Sequence, residues 1–339
     1  MSLRRARFLV IYALFLLVLV ELTCRLAWRI SGVSFLKAPN RIHHFFYPEL
    51  KPVEESPSTR DDGTYDVLVL GGSVLEFGNF AEQLTASLEK KYRRPVRVHS
   101  LARAAHTSLD SFYKYRRLHG RRFDLVVFYH GINEARANNC PEELFRDDYS
   151  HWGWYRLIAD YENGGERLFV LPYTLNFAYT KIGGKTGLIK FVPKHRPGEE
   201  WLVHGATIRT EGTFRANLDR IREIAAARGD PLLLMTFATH VVDGYTLERF
   251  RAGELDYAGR DMPLELWGKP EQVLKAIAVH NRVVREIAAH QDVHLVDQEK
   301  EMPHGRRYFL DVCHLTEEGL AALVANLVSG IEKLGLGPR

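Results

Sequence analysis

The sequence predicts an α/β protein, a three-layer α/β/α sandwich on a parallel sheet, carried behind one N-terminal transmembrane helix. Three observations predict it. From residue 64 onward short apolar, β-branched runs alternate with stretches of helical spacing, the pattern of a parallel sheet buried on both faces. Of the 339 residues 46% are hydrophobic and 26% charged, enough for a real core. The chain opens with basic residues followed by thirteen uninterrupted apolar ones, Phe8 to Val20. This composition excludes a disordered tail protein, a collagen-like repeat and a polytopic membrane protein. The length suits two units, or one large domain with an insertion.

Arg4, Arg5 and Arg7 precede the apolar run, and no acidic residue occurs before Glu21. Thirteen residues fall short of the ~20 that a span needs. Continuing to Trp28 supplies the length, with Arg25 and Arg29 able to reach toward an interface. Residues 1–30 therefore read as an uncleaved signal anchor that meets the membrane through residues 8–28. A cleaved signal peptide and a buried core helix are the alternatives. No A-x-A pattern follows the run, and Glu-Leu-Thr before Cys24 makes a poor lipoprotein signal. The basic flank stays cytoplasmic, which places everything after residue 30 outside the cytoplasmic membrane. Residues 31–63, with Pro39, Pro48, Pro52, Pro57 and the polar stretch 54–63, read as an extracytoplasmic tether.

Within residues 64–336 the expected strands are Tyr65–Leu70, Val96–His99, Asp124–Tyr129, Pro231–Phe237 and Val293–Val296. The expected helices are Phe80–Tyr92, Leu109–Leu118, Glu211–Arg228 and Glu271–His290. A last helix, Thr316–Leu334, has Thr316 as its cap and Glu317 and Glu318 in its first turn. In such sheets the ligand lies beyond the carboxyl ends of the strands.

Three of these places carry unusual residues. The first strand ends in Gly71-Gly72-Ser73, where two glycines allow a sharp turn that exposes the Ser73 hydroxyl and N–H at a helix start. A helix start favours the negative charge of a developing oxyanion. The strand ending at Tyr129 runs into His130-Gly131-Ile132-Asn133, and the Asn133 amide is able to donate to an oxyanion or to cap a helix. Asp311-Val312-Cys313-His314 precedes the last helix, with an Asp spaced to hold one side of an imidazole while the other nitrogen takes a hydroxyl proton.

Taken together and in this order, Gly71-Gly-Ser73, Gly131-Ile-Asn133 and Asp311-Val-Cys-His314 resemble the blocks of the SGNH (GDSL-type) serine hydrolase family. The resemblance covers residues 64–336 and implies a flavodoxin-like α/β/α fold. It implies Ser73 as nucleophile, His314 as base and Asp311 as its orienter. It also implies an oxyanion hole from the Ser73 N–H, a glycine-block N–H matched here by Ala105, and the Asn133 amide. Two departures stand out. Gly72 takes the place of the family's Asp, and Ala105 that of its second-block glycine.

From Asn133 to Asp311 there are 178 positions, more than a minimal enzyme of this kind needs, so an insertion is expected at about 134–210. Its stretch 145–201 holds twelve aromatics in 57 residues, against 11% for the whole chain. They read as a lid or wall over the serine, as the core of a packed subdomain, or as a face lying on a membrane. Gly72, Gly131, Glu134 and Arg136 are candidate substrate contacts beside the blocks. His43, His44, His130, His204, His240, His290 and His294 form no ligand pair, so no metal is expected. Without a P-loop or dinucleotide fingerprint, no cofactor is expected either. The 46 basic and 42 acidic residues are interspersed, which argues against a nucleic-acid partner. Cys140 and Cys313 lie on segments that converge at the carboxyl end of the sheet and are expected to pair in an oxidising compartment.

The sequence thus reads as a membrane-tethered, extracytoplasmic serine esterase that hydrolyses an acyl or O-acetyl ester of a small molecule, lipid or glycan. An O-acyltransferase or deacetylase acting on a surface polysaccharide, and a catalytically silent exported scaffold, are the alternatives.

Overall fold

The computed structural model describes residues 3–56, 63–193 and 199–338. In chain order its main elements are α1 (Leu3–Ile30), β1 (Tyr65–Gly71), α2 (Phe80–Tyr92), β2 (Val96–Ser100), α3 (Ser108–Arg117), β3 (Leu125–Tyr129) and α4 (Ile132–Asn138). Then follow α5 (Gly153–Glu162), α6 (Leu171–Thr186), α7 (Thr210–Arg228), β4 (Leu232–Met235), α8 (Pro270–Ile287), β5 (Val293–Val296) and α9 (Glu317–Lys333). Shorter helical turns lie between them. The chain forms two compact units: Met1–Pro52 with Asp148–Val192, and Val53–Asp147 with Pro193–Arg339.

The second unit is built on five parallel strands in the order β2-β1-β3-β4-β5. Every residue of β1, β3 and β4 is buried, as expected of a sheet covered on both sides. Alternation sorts the side chains. Val67, Val69, Val127, Leu233 and Met235 join a core with Leu84 and Leu88 of α2 and Leu320 and Leu327 of α9. On the other face Phe128 meets Phe214 of α7, ring centroids 6.1 Å apart. The strand order reverses direction between β1 and β3, and at such a switch point the carboxyl ends of the strands open a crevice. Ser73 follows β1 and Asn133 follows β3, so both stand at it.

The first unit departs from the expected tether. Residues 33–53 are not open chain: Ala38, Ile42, Tyr47 and Leu50 are fully buried, in short helices Ala38–Asn40, His43–Phe46 and Leu50–Glu55. Pro39 and Pro52 sit in the first turns of short helices, where a missing N–H costs nothing. Residues 57–62 of that segment lie outside the described residues. Tyr149, Trp152, Tyr155, Tyr161 and Tyr173 are buried and pack on one another, Trp152 stacked on Tyr155 at 5.6 Å. These rings of the expected insertion form a core.

In the same unit α1 is long and apolar enough to cross a membrane. Its apolar run is exposed, whereas Glu21 and Trp28 are buried. Glu21 accepts from the Val170 N–H at 3.0 Å, from Leu171 N–H at 2.9 Å and from Arg25 Nε at 2.7 Å. Arg25 also donates to the Leu36 and Leu168 carbonyls, each at 3.0 Å. Trp28 donates its indole N–H to Thr174 Oγ1 at 2.8 Å. The carboxylate of α1 thus satisfies the first free N–H groups of α6.

Candidate active site

Beyond β1 the chain turns through Gly72 (φ −101°, ψ −158°) into the short helix Ser73–Glu76. A Cβ on Gly72 would stand 3.3 Å from Asn133 Nδ2, so the missing side chain lets that amide approach the backbone carrying Ser73. Ser73 Oγ lies 2.8 Å from His314 Nε2, and His314 Nδ1 lies 2.8 Å from Asp311 Oδ2. A carboxylate only accepts, so Nδ1 holds the ring proton and Nε2 is left to accept from the Ser73 hydroxyl. The other carboxylate oxygen, Asp311 Oδ1, accepts the N–H groups of Cys313 (2.9 Å) and His314 (2.8 Å). Phe309 and Leu315 pair across the mouth of this loop. Ser73, Asp311 and His314 are all buried, which protects these bonds from competing water.

Asn133 sits in the first turn of α4. Its Nδ2 donates to the His106 carbonyl at 2.8 Å, and its Oδ1 accepts the Trp267 indole N–H at 3.3 Å. An amide nitrogen has two hydrogens, and the bond to the His106 carbonyl uses one of them. Trp267 gave no signal in the sequence, because it lies in a loop and acts through its approach to α4. Its ring centroid is 6.2 Å from that of His314, and the Phe77 ring is 5.5 Å from it, so the imidazole stands between two aromatics.

Ala105, after β2, has a left-handed backbone (φ 60°). That conformation favours glycine over alanine. Lys114 of α3, fully buried, braces the loop: its Nζ donates to the Leu101 carbonyl at 2.5 Å and to His106 Nδ1 at 2.9 Å. Thr107 and Asp110 form a capping box at the start of α3.

Other expected contacts fall elsewhere. Glu134 is wholly buried, and its Oε1 accepts the Ser108 N–H at 2.5 Å. Burial pushes its carboxyl up to about 8, against the opposing hydrogen bond from Ser108, so it serves the interior rather than a substrate. Arg136 stacks its guanidinium on Trp267, 5.5 Å from the ring centroid. Burial draws it down to about 10, with Cys313 opposing; it supports the tryptophan. A Cβ on Gly131 would meet Phe237 at 2.6 Å, so this glycine is required by packing. Cys140 and Cys313 are both free and buried, and the expected bridge is not formed. Each thiol turns to its own neighbour, Cys140 to the Pro141 carbonyl at 3.2 Å and Cys313 to His314 Nδ1 at 3.6 Å. Burial, then Asp311, raises the Cys313 thiol well above its ordinary value. His130 is buried against Ser111 Oγ at 2.7 Å and is held neutral by burial, with Lys114 adding to it.

A cleft of about 440 Å³ opens beside His314, and Val74, Phe77, Leu310, Leu315 and Leu320 are among its walls. Phe77 and Leu310 are apolar yet exposed there.

No protein-family profile and no curated protein matches the chain. Among solved structures it is similar to a GDSL-like lipase from Bacteroides thetaiotaomicron, at 15% identity over 85% of this chain and 98% of that one, with a TM-score of 0.47. It is also similar to an acetyl xylan esterase, at 12% identity over 78% of this chain and 99% of that one, TM-score 0.42. A third is a lipase/acylhydrolase from Enterococcus faecalis, at 13% identity over 80% and 96%, TM-score 0.39. The solved structures to which the chain is similar thus include a GDSL-like lipase, an acylhydrolase and an esterase, each at low sequence identity.

Proposed function

We propose that the chain is a serine hydrolase that cleaves ester bonds outside the cytoplasmic membrane, to which α1 attaches it. The observation that carries this reading is the unbroken hydrogen-bond path Ser73–His314–Asp311, with the Asn133 amide beside it. As Ser73 Oγ attacks the ester carbonyl carbon, His314 Nε2 takes its proton, and Asp311 holds the imidazolium that forms. The same nitrogen then protonates the leaving alkoxide, and the acyl group remains on Ser73. Water, deprotonated by His314, attacks that acyl carbon; the bond from the acyl carbon to Ser73 Oγ then breaks, His314 returns the proton to Oγ, and the acid is released.

The tetrahedral oxyanion would be met by the Ser73 N–H, the Ala105 N–H and the second Asn133 amide hydrogen. A donor of this kind contributes about 2.7–4 kcal/mol to the transition state. Because His314 must reach the leaving oxygen, the cleft beside it would receive the alcohol portion, and its apolar walls favour an apolar alcohol. Orientation follows from Arg4, Arg5 and Arg7, which hold the start of α1 on the cytoplasmic side.

The test is turnover of p-nitrophenyl esters by the full chain in detergent, together with labelling by a serine-directed fluorophosphonate. Ser73→Ala is expected to abolish both. Undiminished turnover in that variant overturns the assignment. Protease added to intact spheroplasts should digest the part beyond residue 30, and full protection would reverse the orientation.

A further inference from the structure

α1 as a whole is long and apolar enough to cross a membrane, but its uninterrupted apolar run covers only part of that span. Thirteen residues, Phe8–Val20, rise about 20 Å at 1.5 Å each, whereas the hydrocarbon core is about 30 Å thick. Extending the span carries Glu21 and Arg25 into that layer, where a charged side chain must be paired or shielded. The fold shields them. Glu21 is 8% exposed and is held by the Val170 and Leu171 N–H groups and by Arg25. The start of α6 therefore stands at the same depth as Glu21.

What this region turns outward is apolar. Leu168, Phe169, Leu175, Tyr179 and Ile182 are between 58% and 82% exposed. Leu175, Tyr179 and Ile182 are spaced i, i+4, i+7 and so share one stripe of α6. The opposite face of α6 carries Tyr173 and Phe177, which pack on Trp28 of α1 at 5.9 and 5.2 Å. Lys185, also exposed, is long enough to reach phosphate groups from an interfacial helix.

We infer that α6 lies in the lipid interface on the catalytic side of the membrane, with its Leu175–Tyr179–Ile182 stripe against the acyl chains. The anchor at that leaflet is then a helical pair, and α6 adds apolar surface beside the stretch of α1 that carries Glu21 and Arg25. Lipid is the occupant because the stripe is tied, through Glu21, to the helix that enters the bilayer. The inference rests on the membrane attachment proposed above.

Single cysteines in the full chain test it. In a Cys24→Ser background, Cys140 and Cys313 stay buried and unreactive. Leu175→Cys, Tyr179→Cys, Ile182→Cys and Val18→Cys are each labelled with an environment-sensitive fluorophore. They are reconstituted in 3:1 phosphatidylethanolamine–phosphatidylglycerol vesicles carrying doxyl-labelled lipid. Quenching at 175, 179 and 182 is expected to reach at least half of that at 18. Quenching at 18 alone overturns the inference and leaves membrane attachment standing. No quenching at any position overturns both. Blue-shifted emission at 175 and 182 without lipid quenching shows that a protein, such as a second copy of the chain, covers the stripe, and the inference falls. Using three positions on one exposed stripe guards against any one substitution that fails to fold.

Discussion

Trp267 donates its indole N–H to Asn133 Oδ1 at 3.3 Å, and this bond works with the one from Asn133 Nδ2 to the His106 carbonyl to set which end of a near-symmetric amide lies toward Gly72. Trp267→Phe keeps the stack beneath Arg136 and beside His314 but removes the donor. A neutral hydrogen bond contributes about 0.5–1.5 kcal/mol, so kcat should fall roughly 3–10-fold with KM little changed. Steady-state kinetics on a p-nitrophenyl ester decide it, and an unaltered kcat would show that the tryptophan does not orient the amide.

Asn133→Ala removes the proposed transition-state donor outright. Its kcat should drop by about 10²–10³. The variant also leaves the His106 carbonyl and the Trp267 N–H without Asn133, at about 1–3 kcal/mol for a buried group. A thermal melt should therefore show a lower Tm with a single cooperative transition. Activity equal to the parent would dismiss Asn133 from the oxyanion site.

Ala105→Gly should stabilise the fold. A left-handed backbone costs an alanine about 1–2 kcal/mol, and glycine returns about 0.5–1 kcal/mol of that through its freer unfolded chain. The expected gain is ~0.5–1 kcal/mol, read as a higher denaturation midpoint in urea with the same slope. Esterase activity is retained, since the backbone N–H is unchanged. A lower midpoint would mean that the alanine methyl group makes contacts worth more than the strain.

Glu134 gives stability a pH dependence of known sign. Its folded value, about 8, lies above the ordinary 4.5, so the native state holds the proton more tightly than the unfolded chain. The stabilisation is full below pH 4.5 and is lost as the pH rises through 8, by a few kcal/mol in all. Glu134→Gln keeps a neutral donor and acceptor and should flatten this fall. His130 and His280, both held down to about 3 by burial, act in the opposite sense below pH 6.5. Comparing the two proteins by urea denaturation at pH 6, 7 and 8 cancels the histidines. Parallel curves would remove Glu134 as the source.

Much of the sheet was legible because buried parallel strands are short, β-branched and bounded by turns. Tyr65–Leu70 is expected and Tyr65–Gly71 is found; the Thr316 cap is expected and its Oγ1 accepts the Gly319 N–H at 3.1 Å. That Ser73, Asp311 and His314 meet was readable because Ser73 follows β1 and the turn Asp311–His314 lies just before α9. Glu134 misled because adjacency in sequence suggests a shared site, while one step along a helix turns a side chain by about 100°. Arg136, three steps on from Asn133, returns to its side and finds Trp267. Residues 33–53 were misread because prolines that forbid a long helix still permit the first turn of a short one. Trp267 and the Glu21–α6 contacts arise only when distant segments meet, and no local pattern encodes them.

The turn from Asp311 to His314 has a consequence for the order of assembly. Three of its hydrogen bonds, two to backbone N–H groups and one to the imidazole, close over two or three residues. The bond that makes the pair useful, from Ser73 to His314, closes over 241. Chain entropy alone separates a closure of that length from a three-residue one by about 4 kcal/mol. The Asp311–His314 pair is therefore a local object, available to an otherwise unfolded chain, whereas Ser73 joins it only when the whole sheet is complete. During refolding, recovery of serine reactivity should coincide with the last cooperative phase and never precede it.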